Sequence, residues 1–209
     1  MNYFTADLHF NDAPTLSVDH RPFKTPEEFD DFIINLWNNQ AGKGDTIYVL
    51  GDFVDCDGFG HESWMKSVHY PKQINAKVIL IIGNNEQRVI KNYFNDDFEA
   101  FRKHFISCGF TEVYQNYEMT IAGERFYLTH KPIDCKFDML NLFGHMHRGG
   151  GIYKPFGFNI GCDLNHFFLY SEANIADLLK MKKAFWEKDK NINLWTVPTQ
   201  NNRWFFAQQ

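Results

Sequence analysis

Residues 46–50 form an unbroken apolar run, Thr-Ile-Tyr-Val-Leu, that stops at Gly51 and delivers Asp52. Continuous β-branched and aliphatic residues predict a strand buried on both faces, the kind found inside an α/β sheet. Asp52 then stands at the carboxyl end of that strand, where open α/β sheets gather their chemistry. Two other runs have the same form: residues 2–6 lead into Asp7-Leu8-His9, and residues 76–82 lead into Gly83-Asn84-Asn85-Glu86. Between the first two runs the apolar period lengthens. Thr25-Pro26-Glu27-Glu28 reads as a capped helix start, and Phe29, Phe32, Ile33, Leu36 and Trp37 follow at helical spacing until about Gly42. Residues 10–23 read as a polar loop. A helix is predicted over residues 62–68, and one or two follow Glu86, the clearer over 96–108 and stopped by Gly109. Strand alternating with helix predicts parallel βαβ units.

From Glu112 the spacing changes to that of hairpins, with strands over 113–115, 117–122 and 125–129 and a turn at Ala122-Gly123-Glu124. Further strands are predicted at 141–143 and 158–163. A last helix is capped by Ser171 and turns Ile175, Leu178 and Leu179 inward. No repeat, low-complexity tract or linker divides residues 1–209, so one domain is expected. The tail at 191–209 carries Trp195, Trp204, Phe205 and Phe206, and is expected to pack on the domain or to form a dimer contact.

Composition narrows the partners. The 209 residues are 44% hydrophobic with 22 phenylalanines, enough for a substantial core. A net charge of −5, with no basic cluster longer than the one at 180–183, excludes an electrostatic footprint for duplex nucleic acid. A small or single-stranded phosphate-containing substrate stays compatible. No apolar run approaches the roughly 20 residues of a membrane span and the chain opens on a strand, so no membrane partner and a cytoplasmic location are expected. Cys56, Cys108, Cys135 and Cys162 are scattered singly, which suits reduced thiols.

The chemistry lies at the strand ends. Asp7, His9, Asp52, Asn84, His130, His145 and His147 offer carboxylate, amide and imidazole groups without thiolate. Such a set suits two divalent transition-metal ions, manganese expected first, with iron, zinc or nickel as alternatives. Seven ligands are too many for one tetrahedral ion but fit two ions bridged by a shared carboxylate, the device for in-line attack at phosphorus.

In this order Asp7-x-His9, Gly51-Asp52-x-x-Asp55, Gly83-Asn84-x-Glu86, the lone His130 and Gly144-His145-x-His147 resemble the calcineurin-like metallophosphoesterase superfamily, particularly its small single-domain bacterial and phage members. The resemblance implies an α/β fold of two mixed β-sheets packed face to face with flanking helices. It also implies one metal on Asp7, His9, Asp52 and His147, a second on Asp52, Asn84, His130 and His145, and hydrolysis by an activated water between them. Asn84 would help to stabilise the phosphoryl charge. Arg21, Arg88 and Arg148 lie beside the motifs and are candidates for gripping phosphate. Two positions depart from the pattern. Asn85 stands where the superfamily usually has the histidine that protonates the leaving group, and Cys56 stands where its protein phosphatases have an arginine. The expected function is therefore hydrolysis of a phosphodiester or phosphoanhydride. A phosphomonoesterase and a metal-bearing interaction module with little turnover are the alternatives.

Overall fold

In the computed structural model the structure describes residues 1–56, 63–149, 152–153 and 157–188. Two five-stranded sheets form its centre. In the first, β1 (Asn2–Thr5), β2 (Thr46–Leu50), β3 (Lys77–Ile81) and β4 (Glu112–Tyr114) run parallel in chain order. The second contains β5 (Tyr117–Ile121), β6 (Glu124–Leu128), β7 (Leu140–Phe143), β8 (Ile152–Tyr153) and β9 (Gly157–Asn159), in the spatial order β5-β6-β7-β9-β8. Its central pairs are parallel and its two edge pairs antiparallel. β10 (Tyr170–Ser171) returns to the first sheet, antiparallel to β1. Both sheets are therefore mixed.

Side-chain alternation along β2 explains the two layers. Ile47 and Val49 belong to a core with Phe29, Ile33, Trp37, Phe101 and Phe105, which come from the helices α2 (Pro26–Gln40) and α5 (Phe98–Cys108). Tyr48 and Leu50 face the other way, into a second core with Phe126, Leu128, Leu142 and Phe158 of the second sheet. A strand apolar at every position is thus buried on both faces, as its composition predicted. The closing helix α6 (Glu172–Lys188) adds Ile175 and Leu179 to the second core, and the Ser171 hydroxyl accepts from Asn174 N at 3.2 Å as its cap. α2 begins as its capping residues required, with the Thr25 side chain accepting from Glu28 N.

Three local expectations change. The supposed polar loop contains a helix, α1 (Ala13–Val18), whose start is signalled by Asp12, which accepts from Thr15 N at 3.2 Å, and by Pro14 in the first turn. The helix expected at 62–68 is the single turn and a half of α3 (Ser63–Ser67), and Glu62 lies outside the described residues. The strand expected over 158–163 divides after Asn159. Ile160 N still bonds Phe143 O in the second sheet at 2.9 Å, but Cys162 N bonds Ala6 O of the first sheet, also at 2.9 Å. The chain crosses between sheets there, and residues Cys162–Asn165 form a 3-10 turn. That crossing brings Gly161 against Asp7, where a Cβ would lie 3.1 Å from its Oδ2. The aromatic tail at 191–209 lies outside the described residues, as do Asp57 and His61.

Candidate metal centre

Every predicted ligand sits just past a strand end of one sheet or the other. Asp7 and His9 follow β1, Asp52 follows β2, Asn84 opens the helix α4 (Asn84–Tyr93) after β3, His130 follows β6, and His145 and His147 follow β7. The structure brings them together in two groups of converging ligand atoms. Asp7, His9 and His147 form one, and Asp52, His130 and His145 the other, with ligand atoms within 4.8 Å of one another in each. Asn84 joins the second group, its Oδ1 3.0 Å from His130 Nε2.

Asp52 stands between them. Its Oδ1 accepts the Asn85 backbone N–H at the start of α4, at 2.9 Å, where a helix amino terminus favours negative charge. Its Oδ2 lies 3.5 Å from His9 Nε2 in one group and 3.5 Å from His130 Nε2 in the other. One oxygen is thus pinned by the helix and the other faces both imidazoles.

Neighbouring groups set the imidazole tautomers. His130 Nδ1 donates to Leu50 O at 2.8 Å, and His147 Nδ1 donates to the Asp19 carboxylate at 2.6 Å. Each leaves Nε2 free to ligate, the arrangement in which a carboxylate or carbonyl orients a metal-binding histidine. His9 Nε2 is buried with no hydrogen-bond partner among the described residues. An orphaned imidazole nitrogen facing a carboxylate is costly unless something binds it. Together with the all nitrogen and oxygen donor set, it shows that these residues fit divalent transition metals.

Backbone strain is concentrated at the same place. Asp7, His9, Asp52, His145 and His147 all have positive φ, between 41° and 70°. Non-glycine residues in that region cost about 1 to 3 kcal/mol each and persist where surrounding contacts hold them. The contacts are visible. His145 N donates to both Asp7 carboxylate oxygens at 2.8 and 3.0 Å. The Glu86 carboxylate, wholly buried, accepts from the backbone of Gly83, Asp52, Phe53 and Val54 at 2.7 to 3.2 Å, and so moulds the loop that carries Asp52. Gly83 is required by close approach, because a Cβ there would lie 2.3 Å from Asp52 Oδ1. Replacing Glu86 with alanine strands four buried N–H groups, so a loss of about 3 kcal/mol or more is expected, read as a fall of roughly 10 °C in the thermal midpoint.

The electrostatics call for positive charge. Burial acts to raise Asp52, but the charges of His130 and His9 and the hydrogen bond from His130 outweigh it and hold the carboxyl below its ordinary range. Burial acts to lower His130, but the carboxylates of Asp52 and Asp7 push it up to about 9. His145 is lowered to about 4, first by burial and then by His130. Asp7 is raised, chiefly by burial.

The expected phosphate-gripping arginines part ways. Arg21 is buried, and its guanidinium donates to Asp7 O at 2.7 Å, to Leu8 O at 2.6 Å and to the Asp163 carboxylate at 2.8 and 3.0 Å. These bonds consume it in holding the loop of Asp7 and His9, so the geometry places it beneath the site and makes it a positioning residue. Arg88 and Arg148 are exposed beside their motifs. Arg88 Nη1 donates to Asn85 Oδ1 at 2.8 Å, and Asn85 Nδ2 lies 3.2 Å from His9 Nδ1. Asn85 is buried with both ends of its amide turned to these neighbours. His20 is exposed. Sequence reasoning missed Asp19, the orienting partner of His147, and Asp12, whose carboxylate lies 3.5 Å from His9 Nδ1. Asp12 carried a helix-start signal through Pro14, whereas nothing around Asp19 marks it.

Comparison with known proteins agrees with this geometry. The sequence model of the calcineurin-like phosphoesterases matches residues 3–208. An uncharacterized protein of Methanocaldococcus jannaschii, MJ1445, is 26% identical over 148 residues, which span 69% of this chain and 68% of that protein. Among solved structures, AQ665 of Aquifex aeolicus, a protein of unknown function, superposes with a TM-score of 0.62 at 22% identity, covering 85% of this chain and 98% of that one, a likeness of fold. A match over nearly the whole chain and two converging ligand groups at the strand ends lead to one conclusion: the chain belongs to the calcineurin-like phosphoesterase family.

Proposed function

We propose that the protein is a dinuclear metal-dependent hydrolase of a phosphodiester or phosphoanhydride bond in a small, nucleotide-type substrate. The observation that carries this reading is the position of Asp52 Oδ2, 3.5 Å from an imidazole nitrogen of each ligand group. Asp7, His9, Asp52 and His147 would hold one ion, and Asp52, Asn84, His130 and His145 the other, with manganese the first metal to try. When bound, such a pair supplies a water acidic enough to ionise near neutral pH and neutralises charge on the phosphoryl group.

The remaining work falls to the chain itself. The amino terminus of α4 aims its positive end at the centre, and the Asn84 side chain stands there to meet a phosphoryl oxygen. Arg88 and Arg148, exposed beside their motifs, would draw in the phosphate. Asn85 has no acidic proton to give, so departure of the leaving group is unassisted from that position. This favours diesters and anhydrides with weakly basic leaving groups over alkyl monoesters.

The cysteines suit a reducing compartment, since all four are buried and scattered singly along the chain. No helix among the described residues is long and apolar enough to cross a membrane. A cytoplasmic location is our reading of these features.

The test is hydrolysis of bis(p-nitrophenyl) phosphate by protein stripped with a chelator and then reloaded with manganese. Turnover is expected to vanish on stripping and to return on loading. Turnover that survives the removal of metal would contradict the proposal.

A further inference from the structure

A cleft of about 540 Å³ is lined in part by residues that follow or precede members of the second ligand group in the chain. It lies at the carboxyl ends of β3 and β4, where parallel strands present their loops. Gln87 lines it, three residues beyond Asn84 on α4, and so does Thr129, the neighbour of His130. The far wall is Gln115 and Asn116, the two residues that join β4 to β5. The volume falls in the range of small-molecule sites, roughly 300 to 1,000 Å³.

The lining has a definite chemistry. Gln115 and Asn116 each offer an acceptor and two donors, and Gln87 adds its amide donors while its Oε1 accepts from Lys131 Nζ at 3.4 Å, so the wall matches a ligand edge on which donors and acceptors alternate. Asp96 and Asp134 add acceptors suited to exocyclic amines. Phe98 and Ile82 give apolar surface, while one face of the Tyr127 ring carries Lys136 Nζ at 4.4 Å from its centroid. The charges in the lining itself are the carboxylates of Asp96 and Asp134, with Lys131 reaching it only through Gln87, so it is unsuited to a second phosphate.

We propose that this cleft holds the nucleoside part of the substrate, its base read by the amides, while the phosphate lies over the metal ligands. The inference deepens the phosphoesterase reading and rests on it for the place of the phosphate. The hydrogen-bonding surface and the absence of cationic lining residues separate a nucleoside from a polyphosphate or a second phosphorylated sugar.

The test compares ligands that share a phosphate and a sugar. Manganese-loaded protein is titrated calorimetrically with adenosine 5′-monophosphate, cytidine 5′-monophosphate and ribose 5-phosphate. At least one nucleotide is expected to bind tenfold or more tightly than ribose 5-phosphate. In a Gln115→Ala, Asn116→Ala double variant that advantage is expected to fall to threefold or less. Both residues are exposed, so the fold should tolerate the change, and the affinity for ribose 5-phosphate and turnover of bis(p-nitrophenyl) phosphate are expected to stay within twofold. An advantage below tenfold for both nucleotides, or one that survives the double variant, would overturn the proposal. Failure of the phosphoesterase reading has a separate signature, the absence of diester turnover, and leaves the binding comparison decisive for the cleft.

Discussion

Asp52→Asn is expected to lower kcat on aryl phosphodiesters by at least about 10³ and to reduce the metal held per chain, while the protein stays folded. The asparagine can still accept the Asn85 backbone N–H through its carbonyl oxygen, so the pin to α4 survives. The position that faces both His9 and His130 loses its negative charge. A neutral amide is a poor ligand between two cations, and groups that act on developing phosphoryl charge are typically worth about 10² to 10³ each. Circular dichroism establishes the fold, elemental analysis the metal and steady-state kinetics the rate. Asp55→Asn, in the same motif, serves as the contrast and is expected to change metal content and rate by less than about threefold. Its carboxylate takes the Ser63 hydroxyl at 3.1 Å, a bond that asparagine can keep.

The second large effect concerns the leaving group. A positioned general acid contributes about 10² to 10⁴ in rate. Asn85 cannot supply it, because its amide has no acidic proton, and its carbonyl oxygen is held by Arg88. The loss matters most for an alkoxide leaving from a serine or sugar phosphate. It matters least for an aryloxide, or for a phosphate ester whose second pKa is about 6. Aryl diesters and phosphoanhydrides are therefore expected to exceed alkyl monoesters by at least about 10² in the chemical step. Asn85→His is expected to narrow that gap by selectively speeding poor leaving groups, measured by single-turnover kinetics across a leaving-group series. Equal chemical-step rates for alkyl and aryl esters in the wild type would mean that another residue donates the proton. The exposed His20 is the first candidate to mutate, followed by His61.

The sequence carried the ligands further than it carried their setting. Apolar runs ending in Gly-Asp or Gly-Asn located strand ends, because a strand buried on both faces leaves few other readings for Thr46–Leu50. The two-layer core follows from the same run, since Ile47 and Val49 face one core and Tyr48 and Leu50 the other. What stayed hidden depends on distant pairs. Asp19 meets His147 across 128 residues and Arg21 meets Asp163 across 142, and no local pattern encodes such partners. The arginine was read as a phosphate contact because its charge is visible in the sequence and its burial is not. The positive φ values of Asp7, His9, Asp52, His145 and His147 are equally invisible, since these residue types have no intrinsic need for that conformation and surrounding contacts impose it. The short strands β8 and β10 escaped notice because two residues carry no periodicity.

The account rests on two ions sharing Asp52. Its most direct test is the metal content of the purified protein after loading with manganese and exhaustive removal of free ion, measured by elemental analysis alongside diester turnover. Two ions per chain are expected, with turnover appearing as the second site fills. One ion or none per chain with turnover intact would contradict it.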